Sequence, residues 1–133
     1  MERRPAVVWY LLVAGVSAAI AGGPGGRAEI SFKSDVFPVI KRKCLPCHAE
    51  DHFNPSELSL DTYNLLMAGG KHGVPVVPGR PKESILVQKL NGKAPFGDPM
   101  PLDSKRKKGE TKRLSEEEVR LFIDWIVQGA KNN

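Results

Sequence analysis

Cys44-Leu45-Pro46-Cys47-His48 constrains this chain more than any other run in its 133 residues. A C-x-x-C-H run is the attachment signature of a covalently bound, c-type haem. Each thiol can add to one vinyl group of the porphyrin, giving two thioether tethers. In a helical turn Cys44 and Cys47 stand three apart on one face, so both can reach the same edge of the macrocycle. His48 then offers a neutral imidazole as proximal iron ligand. Three other readings of a C-x-x-C pair compete: a thioredoxin-like redox disulfide, a structural disulfide, and half of a zinc site. Zinc is the weakest, because the other histidines, His52 and His72, lack the spacing of a structural site. A thioredoxin motif needs a preceding strand in a βαβ frame. Here Phe32, Val36, Phe37, Val39 and Ile40, followed by Lys41-Arg42-Lys43, have helical spacing instead.

The N-terminus opens with Arg3 and Arg4, then an apolar stretch from Ala6 to Ile20 and a small-x-small site at Ala19-Ile20-Ala21. Residues 1–21 therefore predict a secretory signal peptide, too short for a comfortable span of roughly 20 residues. A membrane role arises only if this segment stays uncleaved. Residues 22–30 form a Gly-rich linker, and 31–130 suit one small domain. Haem is attached to C-x-x-C-H outside the bacterial cytoplasm, so motif and signal both predict export to the periplasm. Both cysteines lie in the motif, which leaves no disulfide framework. The formal charge is +5, with basic runs at Lys41–Lys43, Lys105–Lys108 and Lys112-Arg113. No aromatic stacking platform or DNA-binding motif accompanies them, so nucleic acid is not an expected partner. They read either as a solvated loop or as a docking patch for an acidic redox partner protein.

The remaining pattern is helical. Asp35 is a candidate N-cap, with Pro38 in the first turn of a helix over Val36 to Lys43. Phe37 and Ile40 are its expected core contacts. A second helix, Thr62 to Ala68, is expected to be capped by Asp61 and stopped by Gly69-Gly70. Prolines and glycines at close intervals keep residues 73–79 extended. Pro81 opens a third helix running to Leu90, with Ile85, Leu86 and Leu90 facing inward. Ser115 and Glu118 form a capping box for the last helix, and Leu114 and Val119 a hydrophobic staple. Its apolar stripe is Val119, Phe122, Ile123, Ile126 and Val127, widened by Trp125 and Leu121. The predicted fold is all-α, a small helical domain around one covalently bound haem, with the first and last helices packed across each other.

A second axial ligand is the open question. His52 lies four residues after His48, on the proximal side, and Met67 sits in an apolar helix as core packing. Met100, held in Asp98-Pro99-Met100-Pro101, is the first choice, since a thioether suits haem iron and raises its potential. His72 among glycines is the second, and a vacant site the third. Arg80 is a candidate partner for the porphyrin carboxylates.

Several runs recur in order in one family. They are Phe37…Cys44-Leu45-Pro46-Cys47-His48, Leu58-Ser59-Leu60-Asp61, Gly69-Gly70…Val77-Pro78-Gly79…Ser84-Ile85-Leu86, Met100-Pro101 and Leu114–Glu118…Trp125-Ile126…Gly129-Ala130. Together they resemble the planctomycete-type cytochrome c domain, a divergent member of the class I cytochrome c fold, over about residues 31 to 130. The resemblance implies Cys44 and Cys47 as thioether sites, His48 as proximal ligand, Met100 as distal ligand, and one haem c per chain. The stretch Leu102 to Arg113 is longer and more basic than the family's usual connection. The expected function is an exported one-electron carrier rather than a catalyst. The alternative is a haem-based small-molecule sensor or weak peroxidase with an open distal site.

Overall fold

The computed structural model describes residues 28–102 and 113–133. The expected signal peptide, most of the linker, and residues 105–112 of the basic run lie outside the described residues. Among the described residues there are four α-helices: α1 (Phe37–Lys43), α2 (Tyr63–Ala68), α3 (Ile85–Leu90) and α4 (Glu116–Val127). A π-helical turn, Phe32–Val36, leads into α1, and a 3₁₀ turn, Pro81–Glu83, precedes α3. No strand occurs among the described residues; one isolated bridge joins Gly70 and Gly73. The all-α expectation holds.

The first helical segment begins earlier than its sequence suggests, and its cap is Ser31. The Ser31 hydroxyl accepts from the Ser34 amide at 3.1 Å, and Asp35 accepts from the Ser31 amide at 2.8 Å. Asp35 is thus the reciprocal partner of the cap rather than the cap itself. The wider π turn places that partner four residues on instead of three. In α2 the cap is Thr62, whose hydroxyl accepts from Leu65 N at 3.2 Å. Asp61, the expected cap, accepts from the Glu50 amide at 2.7 Å instead.

The third helix is interrupted. Ser84, fully buried, adopts φ −79° and ψ 117° between the 3₁₀ turn and α3. Its hydroxyl accepts from Val77 N at 2.9 Å and lies 3.0 Å from the Arg80 carbonyl, to which it can donate. Serine competing for backbone partners in this way is what breaks a helical run. The turn also shifts the inward face: Val87 is buried, whereas Ile85, Leu86 and Leu90 are half-buried.

Helix α4 fulfils the capping box, with Glu118 N donating to Ser115 Oγ (3.1 Å) and Ser115 N to Glu118 Oε2 (3.0 Å). Its buried face is Phe122, Trp125 and Ile126, each worth about 1.5–3 kcal/mol on removal from water. Val127, expected in the stripe, is 56% exposed. At 100° per residue it lies far round the helix from the direction those three share. Trp125 is a centre of the core, fully buried, not a widening of its edge.

The first and last helices meet mainly through the π turn. Phe32 lies 5.6 Å from the Trp125 ring and 5.3 Å edge-on from Tyr63, which joins α4 and α2 to the start of α1. Both polar tips are satisfied: Tyr63 OH donates to Ala130 O (2.9 Å) and Trp125 Nε1–H to Lys131 O (3.0 Å). Val36, Val39, Ile40, Leu60, Leu66 and Val76 complete the centre. Met67 and Phe37 pack against it half-buried.

Candidate functional site

The Cys44–His48 turn continues directly from α1. Cys44 N donates to Ile40 O at 2.8 Å, closing the last turn of the helix, and His48 N donates to Cys44 O at 3.2 Å. Cys44 is half-buried, Cys47 is exposed, and neither is in a disulfide. Helical geometry thus carries a core-anchored segment straight into the motif, because Val39 and Ile40 are buried one turn upstream.

The His48 ring is oriented by the loop that follows. Its Nδ1 lies 3.0 Å from the Leu58 carbonyl oxygen. A carbonyl can only accept, so Nδ1 carries the proton and Nε2 is left with its lone pair. A backbone bond of this kind is the usual device for fixing the tautomer of a ligating imidazole. Leu60 N donates to His48 O at 2.8 Å, and Leu60 is itself in the core.

Leu58 is in turn fixed by Asn54-Pro55-Ser56. Asn54 Nδ2 donates to Leu58 O at 2.6 Å, and Asn54 Oδ1 accepts from the Ser56 amide at 3.2 Å and its hydroxyl at 2.6 Å. An Asx turn therefore sets the carbonyl that sets the histidine. The Gly69-Gly70 pair closes against this loop. A Cβ on Gly70 would fall 2.5 Å from Ser56 O and 2.7 Å from Leu58 N, so only glycine permits the approach. Lys71 N then donates to Ser56 O at 2.8 Å. The sequence marked Gly69-Gly70 as a helix stop, but carried no sign that it and Asn54–Ser56 support His48. That role exists only once residues 54–58 and 69–71 are adjacent.

Met100 is half-buried beyond α3, and its amide donates to Lys89 O at 3.1 Å. The Lys89 side chain turns into the same segment, where its ammonium donates to the Phe96 carbonyl and, at 2.9 Å, to Asp98 O. It also sits 4.3 Å from the centroid of the Phe96 ring. His72 is exposed and stacks on that ring at 4.0 Å between centroids. The motif is thus anchored through α1 and Leu58–Leu60, and Met100 through α3. His52 is exposed, with its amide donating to Ala49 O. Arg80 pairs with Glu83 at 3.2 Å in an exposed contact.

The basic run before the motif is partly neutralised. Arg42 lies 3.2 Å and Lys43 3.9 Å from Glu118 carboxylate oxygens, which also pins α1 to the start of α4. Lys41 is exposed, over the Phe37 ring at 5.7 Å. Two shallow clefts lie elsewhere: one between Phe32, Phe37, Asp61 and Tyr63, the other along Ile30, Glu117, Leu121 and Asp124. Neither is lined by Cys44, Cys47, His48 or Met100. Among the described residues no group of three or more His, Cys, Asp or Glu side chains is placed to hold a metal ion, as a zinc site would require.

An all-helical domain whose first helix runs into C-x-x-C-H, with an imidazole already oriented, has the parts that a c-type cytochrome needs. Residues 44–101 match the family described as Planctomycete cytochrome C. Over those residues the chain is similar to that family, which suggests haem c as its cofactor. The match runs from the first motif cysteine to the residue after Met100, a shorter span than the resemblance read across residues 31 to 130. No curated protein and no solved structure matches the chain.

Proposed function

We propose that this protein is an exported, monohaem one-electron carrier with His48 and Met100 as axial ligands. The observation that carries the reading is the His48 Nδ1 bond to Leu58 O, which leaves Nε2 as the lone-pair donor beside two thiols. Cys44 and Cys47 would hold the haem by thioether bonds at the end of α1. Bound haem would supply a one-electron couple between ferrous and ferric iron, at a potential set by ligands and burial. The residues of the chain supply everything else. The Leu58 carbonyl holds the imidazole in one tautomer and one orientation. Met100, tied by its own amide to α3, offers a soft thioether, while the ring of His72 is engaged with Phe96.

Apolar exposure fits a chain that covers an apolar ligand. Among the described residues Phe53, Val74 and Leu102 are exposed, each in a loop next to the motif, α2 or Met100. No described helix is long and apolar enough to cross a membrane. Export rests on the N-terminal segment and on the attachment chemistry of the motif. Pairing of Arg42 and Lys43 with Glu118 leaves Lys41 as the cation of that run best placed to meet an acidic redox partner.

The ligand assignment is tested by the ferric spectrum of haem-loaded wild type and Met100→Ala. The wild type is expected to show a sulfur-to-iron charge-transfer band and to bind CO weakly. Met100→Ala loses the band and binds CO avidly. A wild type with no such band and strong CO binding would mean an open distal site, and the sensor or peroxidase reading would replace that of a carrier.

A further inference from the structure

We propose that Lys89 is a positioning residue for the distal methionine, acting by holding the Met100-bearing segment to α3. The inference rests on the Met100 ligation proposed above. Lys89 is 9% exposed, a degree of burial that charged side chains reach only when their charge is compensated. Its compensation comes wholly from one short stretch of chain: the Phe96 carbonyl, the Asp98 carbonyl and the Phe96 ring. The same residue's own carbonyl receives the Met100 amide. One side chain and one peptide unit thus grip residues 96, 98 and 100 together.

That stretch has few other means of anchorage. Residues 91–102 contain no helix or strand, and Pro95, Pro99 and Pro101 have no N–H to donate. Lys93 N is tied back to Gln88 O at 2.9 Å. Between Lys93 and Met100, the hydrogen bonds among described residues all end on the Lys89 ammonium. Gly97, at φ +54°, lies beside the same ammonium, where a Cβ would stand in ordinary contact at 3.5 Å from Lys89 Nζ. Charged donors to carbonyls are among the stronger hydrogen bonds, and leaving the buried Lys89 ammonium without acceptors is costly. Lys89 lies in the last turn of α3, the helix that also carries the buried Val87, so the grip refers Met100 to an element of the core.

A segment freed from this grip would spend more time with its thioether away from the iron. Apparent affinity for an exogenous distal ligand scales with that open fraction. The experiment compares haem-loaded wild type, Lys89→Met, Lys89→Arg and Met100→Ala, reading the charge-transfer band and CO affinity of each. Lys89→Met keeps the backbone bond to Met100 and removes only the side-chain ones. It is expected to retain covalent haem, weaken the band, and bind CO about tenfold more tightly than wild type. Lys89→Arg, able to bond both carbonyls and stack on Phe96, is expected to restore both signals.

A wild-type band that persists undiminished in Lys89→Met, with unchanged CO affinity, overturns the positioning role and leaves Met100 ligation standing. A wild type without the band overturns Met100 ligation and the positioning role with it. If Lys89→Met does not fold, Phe96→Ala is read in its place. It removes the ring beside the ammonium, leaves both carbonyls, and should shift the same two signals in the same direction by less. No shift in that variant counts against the grip.

Discussion

Around His48, loop holds loop: Leu58 O accepts from His48 and Asn54, Leu60 N donates back to His48 O, and Gly70 lies against Ser56 and Leu58. Around Met100, one lysine on one helix makes the connections. The first arrangement is redundant, since the imidazole is referred to the core through α1 on one side and Leu60 on the other. The second runs through one residue, Lys89, beside the stack of His72 on Phe96. Under the proposed ligation by His48 and Met100, this difference divides the labour, giving a proximal side fixed at folding and a distal side whose occupancy is set by one local equilibrium. Substitutions should therefore separate into those that disturb folding through residues 54–71 and those that disturb only the ligand through residue 89.

Gly70→Ala should have the largest effect of those that touch the proximal side. A Cβ at 2.5 Å from Ser56 O forces the backbone of 56–58 to move, and about 2 kcal/mol or more of stability should be lost. Denaturant unfolding of the haem-loaded protein measures it. A fully stable Gly70→Ala would mean that the 56–58 loop yields freely and that the proximal side is no stiffer than the distal one. Asn54→Ala should cost about 1 kcal/mol, because Leu58 O keeps its bond from His48 while losing one neutral donor. The charge-transfer band should be untouched. A band lost in Asn54→Ala would show the two sides to be coupled.

The smallest effect is electrostatic. Backbone and Ser115 hydrogen bonds hold the Glu117 carboxyl below its usual range, at the start of α4. A folded-state pKa below the unfolded one contributes stability that is present above the unfolded value and lost as pH falls through the folded one. Glu117→Gln should accordingly be slightly less stable than wild type at neutral pH, with the difference vanishing in mildly to strongly acidic solution. Thermal melts across that range measure it. A constant difference at all pH values would assign the effect to packing and not to charge.

The elements that sequence exposed best are those set by local chemistry. The capping box at Ser115 and Glu118 and the stop at Gly69-Gly70 depend on residues three or four apart, and the structure has them as read. Ser84 shows where local reasoning ends. The Pro81–Leu90 pattern is helical by spacing, yet Ser84 turns its hydroxyl to Val77 and Arg80 and divides the run. Val127 fits an apolar repeat but not the direction of the face that Trp125 dominates. The motif and Met100 were recognisable as candidates in the sequence because their chemistry is rare. Leu58 and Lys89 were not, since one acts through a backbone carbonyl and the other is a lysine in a chain with many. Both roles belong to the tertiary structure.

The most direct test of a covalent cytochrome is a denaturing-gel haem stain with a reduced-minus-oxidised visible spectrum. Wild type and Cys44→Ala/Cys47→Ala would be made in a host that matures c-type cytochromes. Haem that stays with the denatured wild-type chain, is missing from the double variant, and gives a sharp low-spin reduced spectrum is the predicted result. A wild-type chain that retains no haem after competent maturation would contradict it, and Cys44 and Cys47 would then have to be tested as a disulfide pair.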